Sequence, residues 1–239
     1  MAHAALAACA LSMVAASPAR AQSAADQRYQ TWLALFASGP IHQDLWLWLD
    51  VQPRFYDTLE PAALLVRPGL TWRATPELLL TAGYGWTPSW GRTSEPRQWG
   101  DLVFTDEHRL WEQVVYQPSD PHTGVAAQLR VRLEQRFRTA GEVDVGFRLR
   151  LMARLQVPLT RDRALLAVVW NEAFVGLNDT AWGQRAGFDQ NRLFVGAGWQ
   201  AIPAQLRFEL GYMNQWVVRD GLPDPVNHIA ALSTFVGWQ

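Results

Sequence analysis

The chain has no lysine: all 21 of its basic side chains are arginine. A GC-rich genome explains such a bias. A structural reason is compatible with it, since the guanidinium offers a permanent charge and a fork of donors suited to buried pairs. There is one cysteine, Cys9, and no excess of either charge, with 22 carboxylates against those 21 arginines. A nucleic-acid-binding face needs a basic surplus, so no nucleic-acid partner is expected. Beyond the first turns of the sequence no apolar run approaches the roughly 20 residues of a membrane-spanning helix. His42, His108, His122 and His228 lack ligand spacing, so no metal is expected. Glycine never forms a phosphate-binding loop, and no cofactor is expected. Gly83, Gly85, Gly196, Gly198 and Gly211 instead alternate along extended segments, where they suit crowding inside a narrow lumen.

What is present begins with an export signal. Ala4 to Ala16 is apolar and Ala-rich, and Ala19-Arg20-Ala21 follows the small-x-small rule, placing signal-peptidase cleavage before Gln22. Residues 1–21 are therefore expected to be a signal peptide and 22–239 the mature domain. The segment before the apolar run carries only His3 and no arginine. Leu6-Ala7-Ala8-Cys9 has the form of a lipoprotein box, but too little apolar sequence precedes it. Cleavage at Ala21 removes the only thiol, so the mature chain has no disulfide to stabilise it in an oxidising compartment.

The mature chain alternates with period two. From Asp44 to Phe55 one parity reads Leu45, Leu47, Leu49, Val51, Pro53, Phe55, and the other reads Asp44, Trp46, Trp48, Asp50, Gln52, Arg54. From Val143 to Val157 the apolar parity faces away from Arg148, Arg150, Met152, Arg154 and Gln156. On a helix those arginines would spread around the axis, whereas on a strand they share one face. Several runs exceed the roughly 5–6 residues of a soluble strand and reach the 9–11 that cross a bilayer. Aromatics gather at strand ends: Trp72, Tyr84, Trp86, Tyr116, Trp199, Tyr212, Trp216 and Trp238.

The expected strands are Tyr29–Phe36, Leu45–Phe55, Ala63–Arg73, Leu78–Trp86, Val103–Gln117, Val125–Arg138, Val143–Val157, Leu165–Val175, Phe188–Gln200, Gln205–Val218 and Asn227–Trp238. Turn chemistry separates them, Ser38-Gly39-Pro40 and Thr139-Ala140-Gly141 among the signals. The long connectors, Thr87 to Leu102, Leu177 to Gly187 and Arg219 to Val226, all follow even-numbered strands and so lie on one side. Bacterial outer-membrane barrels have that asymmetry. The fold class expected is all-β, a closed antiparallel transmembrane barrel. Because single-chain bacterial barrels have even strand numbers, about 12 strands are expected, with one hidden at Gln22 to Arg28; the alternative is 10.

A recognisable pattern runs through these segments: Glu107-His108-Arg109-Leu110-Trp111-Glu112-Gln113, then Arg130-Val131-Arg132-Leu133-Glu134-Gln135-Arg136 and Arg148-Leu149-Arg150. Asn171-Glu172-Ala173-Phe174, Asp189 to Gly196 and Gly211-Tyr212-Met213-Asn214-Gln215 complete it. Together they resemble the domain-of-unknown-function 2490 family of predicted bacterial outer-membrane proteins, over about Thr31 to the C-terminus. The resemblance implies a barrel in the cell outer membrane, with outer-membrane lipid around it and the barrel-assembly machinery inserting it. It implies no activity.

The inner face is expected to carry Asp50, Arg54, Arg67, Arg73, Glu107, Arg109, Arg130, Arg132, Glu134, Arg136, Arg148, Arg150, Arg154, Arg192, Arg207 and Glu209. Two readings of this face stand. It is an interlocked Arg–Glu network filling the lumen of a closed scaffold, or the lining of a narrow channel preferring small anionic solutes. Two alternatives are of other classes. An outer-membrane hydrolase would use His108 beside Glu107 and Glu112, or His228 with Ser233, but neither set supplies nucleophile, base and orienter together. A soluble, lipocalin-like barrel in the periplasm would bury the apolar parity and expose the arginines.

Overall fold

The computed structural model describes residues 26–57, 59–92, 102–138, 144–219 and 223–238. They form eleven strands and no helix: β1 (Asp26–His42), β2 (Leu45–Tyr56), β3 (Pro61–Arg73), β4 (Leu78–Arg92), β5 (Leu102–Tyr116), β6 (Ala126–Arg138), β7 (Val145–Pro158), β8 (Leu165–Gly176), β9 (Gly187–Ile202), β10 (Leu206–Val217) and β11 (Pro225–Gly237). Neighbours in sequence pair antiparallel all the way round, and β1 closes on β11. Closure leaves no strand edge with unpaired N–H and C=O groups.

The expected even count is not met. Eleven strands leave the first and last running in the same direction, so the seam is a parallel ladder from Asp26↔Pro225 to Ser38↔Gly237. No gap remains in the described barrel for the twelfth strand expected at Gln22 to Arg28. Its last residues, Asp26 to Arg28, are instead the start of β1; its first ones, like the expected signal peptide, lie outside the described residues. Ten strands are excluded equally by the closed order.

β1 also runs on past its expected end at Phe36. Ser38-Gly39-Pro40, read as a turn, lies inside the strand, because Pro40 pairs with Trp46 of β2 on one side only. On the other side the ladder to β11 has ended at Ser38, so proline's missing N–H costs no bond there. A register shift between Pro40 and His42 follows, and the chain reverses at Gln43, in the left-handed region at φ 41°. The strand ends joined by the long connectors after β4, β8 and β10 share one end of the barrel, as expected; 43–44, 74–77, 159–164 and 203–205 share the other. At that second end the segment 117–125 is held by Asp120, whose carboxylate accepts from the His122 N–H at 2.8 Å and the Thr123 hydroxyl at 2.9 Å. The first of these bonds does most to keep the Asp120 carboxyl below its ordinary range.

The apolar parity faces outward. Leu35, Leu70, Leu110, Val131, Leu151, Val195, Leu210 and Leu232 are exposed around the barrel, while Arg132, Arg150, Glu134 and Glu209 are buried within it. The lipocalin-like arrangement, apolar inside and arginine outside, is therefore not the one adopted. Outer aromatics mark both ends, with Phe188 and Trp199 exposed at opposite ends of β9.

Inside, the wall is divided. β5, β6 and β7 present charge, whereas Trp32, Leu166, Val168, Phe194, Met213, Ile229 and Ala231 form an apolar cluster across β1 and β8–β11. Glycine pairs seat its larger rings. A Cβ on Gly196 or Gly211 would lie 2.6 or 2.7 Å from the Phe194 ring, and one on Gly83 would lie 2.4 Å from Trp111.

These seats differ in how far they can give. A methyl at Gly211 would also meet the Val195 carbonyl oxygen at 2.4 Å, whereas at Gly85 it meets only the flexible Arg67 side chain at 3.2 Å. Gly211→Ala is expected to lower stability by about 1–3 kcal/mol, the usual cost of overpacking, and Gly85→Ala by clearly less. Urea unfolding of the two variants checks the order.

Candidate functional site: an arginine lattice inside the barrel

Thirteen arginines point into the lumen from the described strands: Arg54, Arg67, Arg73, Arg109, Arg130, Arg132, Arg136, Arg138, Arg148, Arg150, Arg154, Arg192 and Arg207. Five carboxylates face them: Asp50, Glu107, Glu134, Glu172 and Glu209. All sixteen inner-face charges expected from alternation are among these eighteen.

Register explains the pairing. Glu134 of β6 lies opposite Arg148 of β7, and Arg132 opposite Arg150, so Glu134 has one arginine beside it and another on the diagonal. Its two oxygens accept from Arg148 Nη2 and Arg150 Nη1, both at 2.6 Å. Arg150 also donates through Nε to Glu172 at 2.9 Å. Glu172 takes a second bond from Arg130 Nη2 at 2.6 Å. Glu107 binds Arg136 through both oxygens, at 2.9 and 2.8 Å, and Arg109 at 2.6 Å. Arg67 pairs with Asp50, directly opposite on β2. Across three strands Arg154 reaches Glu209, which also has Arg207 at 2.9 Å.

Three arginines are held by other means. Arg132 donates from Nε and Nη2 to Gln113, at 3.0 and 2.7 Å, and lies over Trp111 at 4.5 Å. Trp48, three strands along at β2, meets Trp111 edge-on at 5.0 Å. Arg54 stacks over Trp32 at 3.6 Å and Arg192 lies 4.9 Å from the same ring. Each such contact contributes about 0.5–2 kcal/mol. Two like charges about 8 Å apart repel by about 2 kcal/mol at an effective dielectric of about 20. With thirteen cations against five anions, ring faces alone do not offset the repulsion, so the lattice depends on its carboxylates.

At the long-connector end, residues 177–186 fold inward over this lattice. Gln184 accepts from Arg136 Nη1 at 3.0 Å and donates to the Phe147 carbonyl at 3.0 Å. The Trp182 ring lies under Arg136 and Arg138, 4.9 and 4.5 Å from their guanidinium carbons. Gly146 makes room, since a Cβ there would stand 2.6 Å from Trp182. At the other end the lumen holds a cavity of about 580 Å³.

Alternation missed Glu172, the hub between Arg130 and Arg150, because β8 is apolar on both faces and its parity gives no sign of which side points in. Its place in the Asn171-Glu172-Ala173-Phe174 motif was the available signal. The inward fold of residues 177–186 was also missed. Inner-face glycines at 146 and 176, beside a loop tryptophan, are the sequence trace of it.

The hydrolase candidates do not converge. His108 stays on the outer face, as its parity indicates, bonded to Tyr84 and 3.3 Å from Asp106. Glu112 takes a bond from Gln135 at 3.0 Å. His228 meets the Tyr212 hydroxyl at 2.6 Å and Gln27, whereas Ser233 lines the inner cavity.

Fold and interior define a closed β-barrel turned inside out relative to a soluble one, apolar without and arginine-filled within. The chain belongs to the DUF2490 family, described as a protein of unknown function, whose model matches residues 29–224. It is 34% identical over 223 residues to an uncharacterized protein of Methylorubrum extorquens, spanning 92% of each chain. No solved structure matches the chain significantly.

Glu134 has no exposure at all, and its loss would leave Arg148 with Asp189 at 3.4 Å and Arg150 with Glu172 as their remaining carboxylates. Glu134→Ala is expected to destabilise the barrel by about 3–5 kcal/mol. Glu209→Ala is expected to cost less, because its partners Arg154 and Arg207 are nearer solvent, at 11% and 24% exposure. Denaturant titration with intrinsic tryptophan fluorescence reads both.

Proposed function

We propose that the protein is an outer-membrane barrel with a closed lumen: a membrane-embedded scaffold and not a channel or a catalyst. The observation that carries closure is the packing at mid-lumen, where Glu134, Arg132, Trp111 and Phe174 are each at most 1% exposed. Water threading an open pore would wet these side chains. Trp111 packs over Gly69 and Gly83 and against Trp48 there, and the inward fold of residues 177–186 covers the lattice at one end.

Membrane residence is supported by the outer surface. Strands of 12 to 17 residues exceed the 9–11 needed to cross a bilayer. Phe188 and Trp199 are eleven residues apart on β9, about 36 Å of strand. At the usual 35–45° tilt that is a height of about 25–29 Å, close to the apolar band of outer-membrane barrels. By the same analogy the short turns face the periplasm and the long connectors face outward. Outer-membrane lipid is then the surrounding partner, and the barrel-assembly machinery the route of insertion.

The lipid assignment predicts an asymmetry on β7. Leu149 is on the outer parity and Met152 lines the inner cavity. Leu149→Arg is expected to cost about 2–4 kcal/mol of folding into lipid, and Met152→Gln to be tolerated. Refolding titrations into phosphatidylcholine vesicles give the ranking, and the reverse order would mean that the outer face does not meet lipid.

Closure is tested by planar-bilayer recording of the inserted protein, whose expected trace is silent. A steady anion-selective conductance that disappears in the Arg132→Gln, Arg150→Gln double variant would establish the channel in its place.

A further inference from the structure

The cavity at the short-turn end is built differently from the closed lattice above it. It runs from a floor at Arg130 and Glu172 to the rim at Ala204 and Gln205. One wall is basic and the other apolar. Seven arginines and three carboxylates line it, so its charge is not balanced from within. Trp32, Phe194, Met213 and Ala231, from the apolar cluster, make the facing wall. Along the basic wall and floor, Arg67 Nε, Arg130 Nε and Arg192 Nε are buried donors without a hydrogen-bond partner. These atoms lie behind the cavity surface, so what the cavity offers a ligand is the guanidinium charge and the exposed edge of Arg130, whose side chain is 16% exposed. Its volume of about 580 Å³ falls within the range of small-molecule sites, which are mostly apolar with a few convergent polar groups.

We propose that this cavity binds an amphiphilic organic monoanion, its acidic group against Arg130 and its flat apolar body against Trp32, Phe194 and Met213. A charge surplus alone would suit any anion. The apolar wall facing it is what selects one with a hydrophobic body. A cation is disfavoured by the arginines, and a neutral amphiphile leaves the surplus of seven arginines over three carboxylates without a counter-ion. The site stands on the lumen geometry alone and does not require the membrane location or the closure proposed above.

Isothermal titration of the full-length mature protein in non-ionic detergent, with detergent-only blanks, tests this using 2-naphthoate, 2-naphthylmethanol and inorganic sulfate as probes. Two variants accompany it. Arg130→Gln removes the proposed anchor while Glu172 keeps its bond to Arg150. Ser233→Trp fills the cavity from β11, opposite Glu209, without removing a charge. The expected result is saturable binding of one 2-naphthoate, at least tenfold tighter than the alcohol and at least tenfold weaker in Arg130→Gln. Binding is expected to be lost in Ser233→Trp. If Arg130→Gln does not fold, the acid–alcohol comparison and Ser233→Trp still decide. No binding of 2-naphthoate, equal binding of acid and alcohol, or unchanged binding in Ser233→Trp would overturn the proposal. Competition by sulfate at concentrations matching naphthoate would overturn it as well, since the apolar wall would then contribute nothing.

Discussion

Everything in this barrel follows from one constraint: successive side chains on a strand point to opposite faces. A sequence that places leucine on one parity and arginine on the other must, once the sheet closes, collect all of its charge on one side of the wall. Here the charge lies inside, at positions such as Arg148, Arg150 and Arg154 of β7. It then has to be neutralised largely from within the lumen. Glu134, Glu172 and Glu107 meet that requirement by each serving more than one guanidinium. Shared carboxylates join Arg109, Arg130, Arg136, Arg148 and Arg150 into a connected lattice that ties β5 through β8 together, while Arg67 with Asp50, and Arg154 and Arg207 with Glu209, form separate groups.

The surplus shapes the rest. Where no carboxylate accepts a hydrogen bond, aromatic faces add support, as Trp32 does for Arg54 and Arg192 and Trp111 for Arg132; Arg192 and Arg132 also keep Glu172 and Glu134 at 3.9 Å. The barrel's wealth of tryptophan is thus spent in two places, on outer rims and against inner arginines. The glycine seats belong to the same economy of space. Gly69 and Gly83 lie under Trp111, and Gly196 and Gly211 lie under Phe194. Large inner rings fit because the neighbouring strands carry no side chain there. At the short-turn end the packing stops short, and seven arginines line a cavity with only three carboxylates among them.

Much of this was legible in the sequence. β2, β6 and β7 alternate cleanly, so their faces and their charged residues could be read directly. The family resemblance holds over residues 29–224. What failed did so for local reasons. Ser38-Gly39-Pro40 has the chemistry of a turn, yet the position of Pro40 beyond the end of the seam let the strand continue. Strand parity was taken from the even-number habit of bacterial barrels, which a parallel seam sets aside. Glu172 was hidden because β8 is apolar on both faces. Most of the inner-face charges were legible, but not the apolar half of the inner wall that β8 to β11 contribute. Only tertiary closure brings that half to face the arginines, and it is there that the cavity has its amphipathic character.

The central claim is the orientation of the two faces, and β11 offers the cleanest place to measure it because residues 229–236 carry no charge. With Cys9 in the expected signal segment, single cysteines introduced at 229–236 and spin-labelled would be the only labels on the mature chain. In lipid vesicles, accessibility to dissolved oxygen is predicted to alternate with period two. Positions 230, 232, 234 and 236 should be high, as Ala230, Leu232 and Val236 are exposed on the outer wall. Positions 229, 231, 233 and 235 should be low. Alternation of the opposite phase, or uniform accessibility to a water-soluble nickel chelate along the strand, would contradict the account.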